Sequence, residues 1–203
     1  MAVIYAFGDS ITYGAWDIEG GGWANRLRCY FDGLQDEDPS LYYIVYNLGI
    51  PGETTDGLVN RFELEIKARE RKDSIFVFAY GANDVALAGD KYTVAKDAFK
   101  ANLSEAVAKA KNVSQKIVLV NITPVIEEVT NNTGNPLHRK RLNKDIQDYN
   151  KVIAGIGAEQ NCQVADVNSL YIKSGCKELF DEDGLHPNAK GHEIIFEEVK
   201  KSL

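Results

Sequence analysis

Short apolar runs with the residue types of strands alternate with longer segments of helical period along most of the chain, and this alternation leaves few folds open. Runs at 3–7, 43–48, 74–80, 116–122 and, more weakly, 162–167 are rich in Val, Ile, Phe and Tyr. Several are nearly continuous, as strands buried on both faces are. Between them, apolar residues recur at steps of three and four: Leu58, Phe62 and Ile66; Phe99, Leu103, Val107 and Ala110; Leu142, Ile146, Tyr149, Ile153 and Ile156. Each set lines one face of a helix. A last helix is expected after Pro187, running to Leu203 with Ile195, Val199 and Leu203 inward. Strand, helix, strand repeated in this way predicts an α/β fold in three layers: a five-stranded parallel sheet with helices on both faces, joined by right-handed crossovers.

The chain has 203 residues and no Pro- or Ser-rich linker, so a single domain over 1–203 is expected. A net charge of −7 argues against nucleic acid and anionic membrane as partners. No run approaches the roughly 18 to 20 apolar residues of a membrane span, and no charged segment followed by an apolar one opens the chain. The expectation is a cytoplasmic protein without a stable membrane anchor. Cys29, Cys162 and Cys176 are odd in number and lack C-x-x-C spacing, which suggests free thiols rather than disulfides or zinc. The four N-x-S/T matches, at Asn102, Asn112, Asn121 and Asn131, are read as chance.

In open parallel sheets, ligands sit beyond the carboxyl ends of the strands. Ser10 follows the first strand candidate, Gly52 the second, Asn83 the third, and Asp183 and His186 lie in the loop after the fifth. A hydroxyl, an imidazole and a carboxylate are the groups that activate serine for attack on an acyl carbon. Two residues separate Asp183 from His186, so one tight turn can bring both side chains to the same side. The chain order is Ser, Asp, His, and position 12 is Thr. There is therefore no Gly-x-Ser-x-Gly elbow, which argues against the α/β-hydrolase fold.

Four segments carry a family resemblance: Gly8-Asp9-Ser10-Ile11-Thr12-Tyr13-Gly14, Asn47-Leu48-Gly49-Ile50-Pro51-Gly52-Glu53-Thr54, Gly81-Ala82-Asn83-Asp84 and Asp183-Gly184-Leu185-His186-Pro187. They resemble, in order, the four sequence blocks of the GDSL or SGNH hydrolases. The resemblance implies a flavodoxin-like topology and a serine esterase or acylhydrolase acting on carboxylic esters: short-chain acyl esters, lipids or acetylated carbohydrates. Carbohydrate deacetylases and thioesterases share the same residues. It also implies Ser10 as nucleophile, His186 as base and Asp183 as its partner. The oxyanion donors would be the N–H groups of Ser10 and Gly52 and the side chain of Asn83.

Asp9, beside Ser10, and Trp16 and Trp23, around a glycine run, are candidate substrate contacts. Segment 125–137 is polar and could overhang the site. His192 reads as a packing or surface group, and His138 has no evident partner. A flavin-binding carrier is the rival reading, with Ser10, Thr12 and Gly14 around a phosphate, but it leaves Asp183 and His186 unexplained. The expected partner is a small-molecule ester; the oligomeric state is not legible. No cluster has metal-ligand spacing, and neither a metal nor another cofactor is expected. Ester hydrolysis should therefore survive EDTA, and complete loss restored by a divalent ion would overturn that expectation.

Overall fold

The computed structural model describes residues 2–69, 71, 73–132 and 139–203. In chain order the elements are β1 (Ala2–Gly8), α1 (Ser10–Tyr13), α2 (Trp23–Glu37), β2 (Tyr43–Gly49), α3 (Thr55–Arg69), β3 (Ser74–Ala79), β4 (Leu87–Ala88), β5 (Lys91–Tyr92), α4 (Lys96–Lys111) and β6 (Ile117–Val120). They continue with α5 (Glu127–Thr130), α6 (Asn143–Glu159), β7 (Gln163–Ala165), α7 (Val167–Lys173), a 3-10 turn (Cys176–Leu179) and α8 (Ala189–Lys201). Five strands form one parallel sheet in the order β2-β1-β3-β6-β7. This is the flavodoxin-like order, with its switch point between β1 and β3. Strands β4 and β5 make a small separate antiparallel pair.

Period-two alternation sends successive side chains of the central strands into two cores. Val3, Tyr5 and Phe7 of β1, Phe76 and Phe78 of β3, and Ile117 and Leu119 of β6 face the layer of α3, α4 and α6. Ile4 and Ala6, Ile75 and Val77, and Val118 and Val120 face the layer of α2, α7 and α8. The helical periods supply the covers: Leu58, Phe62 and Ile66 from α3, Phe99, Leu103, Val107 and Ala110 from α4, and Ile146, Tyr149, Ile153 and Ile156 from α6 are all buried.

Several boundaries depart from the sequence expectation. Helix α2 is absent from it, although Trp23, Leu27 and Phe31 recur every four residues and are all buried. Strand β6 stops at Val120 rather than 122, because the Asn150 side chain replaces a neighbouring strand: its oxygen accepts from Ile122 N–H (2.8 Å) and its amide donates to Ile122 C=O (3.0 Å). Helix α8 is opened by Asn188, whose side chain accepts from the N–H groups of Lys190 and Gly191, rather than by Pro187, and it ends at Lys201. No described helix is long and apolar enough to cross a membrane.

Phe7 is fully buried, with its ring 5.3 Å from Phe62 and 5.7 Å from Phe78. Phe7→Ala should destabilise the chain by about 4 kcal/mol, chiefly through the cavity it leaves. Denaturant titration checks this, and a loss under about 1 kcal/mol would mean that the site-bearing strand is not held by these rings.

Candidate active site

Strand β1 ends at Gly8, and the chain turns at once into α1. Asp9 makes the turn by capping, its Oδ1 accepting from Ile11 N–H at 2.9 Å. Ser10 thus begins the helix at the carboxyl edge of the central strand. The turn lies close on β2: a Cβ at Gly49 would sit 2.2 Å from Tyr13 N and 2.8 Å from Asp9 O, so only glycine fits there.

After β2, Ile50-Pro51-Gly52-Glu53 folds in the pattern of a type II turn. Pro51 stands second, Gly52 third with φ of 80°, and Glu53 N–H donates to Ile50 C=O at 3.1 Å. The turn is anchored by the Glu53 carboxylate, which accepts from Arg61 Nε (2.8 Å), Arg61 Nη2 (2.6 Å) and Tyr80 Oη (2.6 Å). The loop after β3 is joined to it twice. Asn83 Nδ2 donates to Glu53 C=O at 3.0 Å, and Asp84 Oδ1 accepts from the Thr55 N–H (2.9 Å) and hydroxyl (2.5 Å).

Asp183 and His186 share one tight loop. Asp183 Oδ1 accepts from the N–H groups of Leu185 and His186, both at 2.9 Å, and Oδ2 lies 2.5 Å from His186 Nδ1. A carboxylate there accepts a hydrogen bond from Nδ1–H, which keeps the proton on Nδ1 and leaves Nε2 as an acceptor. His186 Nε2 lies 2.9 Å from Ser10 Oγ, across 176 positions of sequence. Ser10, Gly52, Asn83 and His186 line a single cleft of about 470 Å³, with Asp183 behind the imidazole. The arrangement can withdraw a proton from a serine hydroxyl while donors from two other loops face the same space.

The other candidates separate. Trp16 stands at the cleft mouth, 64% exposed, with φ of 69° and its ring edge-on to that of His186, centroids 5.9 Å apart. Trp23 does not share this position: it is 0% exposed in the first turn of α2 and faces the core. Asp9 is likewise buried and capping, outside the cleft lining. Thr12 is enclosed, which removes one of the hydroxyls the flavin reading required. His192 is buried and its Nδ1 accepts from Trp23 N–H at 3.3 Å, satisfying an orphan donor at the start of α2.

Residues 125–132 pack against the Asp183 loop instead of overhanging the cleft: Ile126 N–H donates to Gly184 C=O (2.9 Å) and the Thr130 hydroxyl to Asp183 C=O (3.1 Å). The rest of that segment, 133–137, and His138 lie outside the described residues. No group of His, Cys, Asp or Glu that could hold a metal occurs among the described residues. One cleft residue had no sequence signal. Arg141 is 5% exposed and lines the cleft, and nothing in Lys140-Arg141 distinguishes it from a solvated pair.

Burial dominates the ionisation of several of these groups. It raises Asp9 and Asp84 to about 6 from an ordinary 3.8, against hydrogen bonds from Ile11 and Thr55 that favour the charged forms. It pushes Arg141 down to about 10 and His192 to about 4. At Asp183 burial also acts upward but is outweighed by the hydrogen bonds from His186 and Leu185, which bring the carboxyl to about 2. Asp183 is therefore ionised at any working pH.

A raised carboxyl binds its proton more tightly in the folded chain. The stability that Asp9 and Asp84 add is thus complete below an ordinary carboxyl value of 3.8 and is lost as pH rises through about 6. Asp183 acts oppositely, its contribution present above 3.8 and lost as pH falls through about 2. Asp84→Asn keeps an oxygen for Thr55 and removes one titration. Its melting temperature should therefore fall less steeply than the wild type's between about pH 4 and 6. Equal slopes in scanning calorimetry would refute the buried titration.

Known proteins share this fold. The chain is 20% identical to the uncharacterized protein YpmR of Bacillus subtilis over 99% of its own length and 81% of that protein's. A crystal structure of a lipase/acylhydrolase from Enterococcus faecalis superimposes with a TM-score of 0.80 at 23% identity, covering 99% of this chain and 94% of that one. Axe2, an acetylxylan esterase from Geobacillus stearothermophilus, gives 0.74 at 22% identity, covering 99% and 93%. The profile of the GDSL-like Lipase/Acylhydrolase family matches residues 6–194, and the chain belongs to that family.

Proposed function

We propose that the protein is a serine ester hydrolase working through an acyl-enzyme. The observation that carries this reading is the unbroken relay from Ser10 Oγ to His186 Nε2 (2.9 Å) and from Nδ1 to Asp183 (2.5 Å) at the floor of an open cleft. His186 takes the Ser10 proton as the oxygen attacks the ester carbonyl carbon. The carbonyl oxygen becomes an oxyanion, met by the N–H groups of Ser10 and Gly52 and the amide of Asn83. The carbon–oxygen bond to the alcohol then breaks, and the alcohol leaves with the proton from His186. Water, deprotonated by His186, attacks the acyl-serine in turn and frees the acid. Asp183 stays ionised throughout and holds the ring.

The substrate is a small, short-chain acyl ester. The cleft volume of about 470 Å³ suits it, and the rim of Tyr13, Trp16, Ile18 and Pro51 offers apolar and aromatic surface to the leaving group. The likeness to Axe2, described as an acetylxylan esterase, brings acetylated carbohydrate into the substrate range. Forms of that enzyme carrying a serine-to-alanine or a histidine-to-alanine replacement are described as catalytic mutants, in keeping with Ser10 as nucleophile and His186 as base. A reducing cytoplasmic setting belongs to the same proposal and draws on the free thiols of Cys29, Cys162 and Cys176.

A panel of p-nitrophenyl acetate, butyrate and octanoate with acetylated xylose tests this reading. Ser10→Ala should lower kcat/KM on every responsive substrate by about 10⁴-fold or more. Wild-type rates in that variant would overturn the assignment. His186→Ala should lower kcat/KM to a similar extent, and wild-type rates in that variant would remove His186 from the role.

A further inference from the structure

Asn83 is held on both sides by groups that admit one orientation of its amide. A guanidinium only donates, so the Asn83 oxygen must face Arg141 Nη2, 3.0 Å away. A backbone carbonyl only accepts, so the nitrogen must face Glu53 C=O, also at 3.0 Å. A flipped amide would set N–H against N–H and oxygen against oxygen. An amide nitrogen carries two N–H groups, and the bond to Glu53 uses one. The other is left for the cleft that Asn83 lines.

Arg141 is itself held rigidly. Its N–H donates to Asn131 Oδ1 and its C=O accepts from Asn131 Nδ2, both at 2.9 Å. Among the described residues its remaining guanidinium bonds, to Ala82 C=O (2.6 Å) and Arg139 C=O (3.0 Å), end on oxygens without formal charge, and no carboxylate contacts it. Asp9 and Asp183 act on it only through space. Burying a cation without a contacting carboxylate is costly, and an apolar side chain would fill the space at lower cost. The charge is nonetheless placed one amide away from the position where the proposed reaction develops a negative charge.

We propose that Arg141 is the positioning residue of the oxyanion site, locking the Asn83 amide with one N–H toward the cleft and polarising that amide toward the developing oxyanion. This rests on the serine ester-hydrolase reading above. A donor whose own oxygen is bound to a cation gives a stronger hydrogen bond, and it strengthens further as the acceptor becomes an anion. The gain therefore falls on the transition state and on anionic tetrahedral adducts, and little of it on the neutral ester.

The test compares Arg141→Gln, Arg141→Lys, Asn83→Ala and the double variant Asn83→Ala/Arg141→Gln on p-nitrophenyl acetate, with Ser10→Ala in parallel. Arg141→Gln should lower kcat by about 10- to 100-fold with KM within about twofold. Phenylboronic acid, which forms an anionic tetrahedral adduct on a serine oxygen, should bind at least about fivefold more weakly. Arg141→Lys, which keeps the charge and loses the fork, should fall between. In the Asn83→Ala background, Arg141→Gln should change kcat by less than about threefold.

A folded Arg141→Gln with wild-type kcat, unchanged boronate affinity, or losses that multiply in the double variant would each overturn the proposal. If the Gln variant does not fold, the Lys variant decides by the same kcat and boronate readings. Wild-type activity in Ser10→Ala would overturn the hydrolase reading and this proposal with it. An inactive Ser10→Ala beside a fully active Arg141→Gln would overturn this proposal alone.

Discussion

A strand hydrogen-bonded along both edges and buried on both faces cannot slide or turn over without exposing one core or the other, and β1 is such a strand. It pairs with β2 through Gly8↔Gly49 and with β3 through Gly8↔Ala79. Its side chains enter both hydrophobic layers. The position of Ser10 at the sheet edge follows from that register. Because the five strands run parallel, the loops carrying Gly52 and Asn83 emerge on the same side as Ser10, and the Asp183–His186 pair meets Ser10 there after the chain has passed through α7 and the 3-10 turn.

Strand ends place loops only coarsely, and polar contacts between the loops complete their placement. Glu53 clamps the Gly52 turn to Arg61 and Tyr80, while Asn83 and Asp84 bond back to Glu53 and Thr55. On the other side of the cleft Asp17 organises the Trp16 loop, accepting from the N–H groups of Glu19 (3.2 Å), Gly20 (3.0 Å) and Gly22 (2.9 Å) and from the Arg26 guanidinium. Arg26 also reaches Glu193 in α8, so this loop is tied to the helix that begins just after His186. Trp16 can keep a left-handed backbone conformation, unfavourable for so large a residue, because its surroundings over-determine it.

The buried charges divide by what they touch. Asp183 keeps its charge because three hydrogen bonds meet it, and Asp17 because Arg26 and backbone donors surround it. Asp9 and Asp84 have fewer such partners and are pushed toward the protonated form. Arg141 bears the same burial and directs its guanidinium at the amide facing the cleft. The carboxylate that orients the imidazole is thus, like Asp17, held firmly as an anion, which suits a group that must hold a cationic ring during proton transfer.

Much of the fold was legible because periodicity is local. The alternating strands and the stripes of α3, α4 and α6 appear in any window of ten to fifteen residues, and the Trp23, Leu27, Phe31 stripe of α2 was equally readable but masked by the glycine run before it. The site was legible where its geometry is short-range: Asp183 and His186 meet within one turn, and Pro51-Gly52 specifies its own bend. The sequence alone therefore determined the layer architecture, the sheet edge and the chemical groups offered there. Tertiary structure decided which of two nearby tryptophans faces the cleft, that Asp9 caps a helix beneath it, and that Arg141 is buried against Asn83. Those outcomes depend on which face of each element its neighbours cover, a property of the assembled layers that neighbouring residues in the chain do not encode.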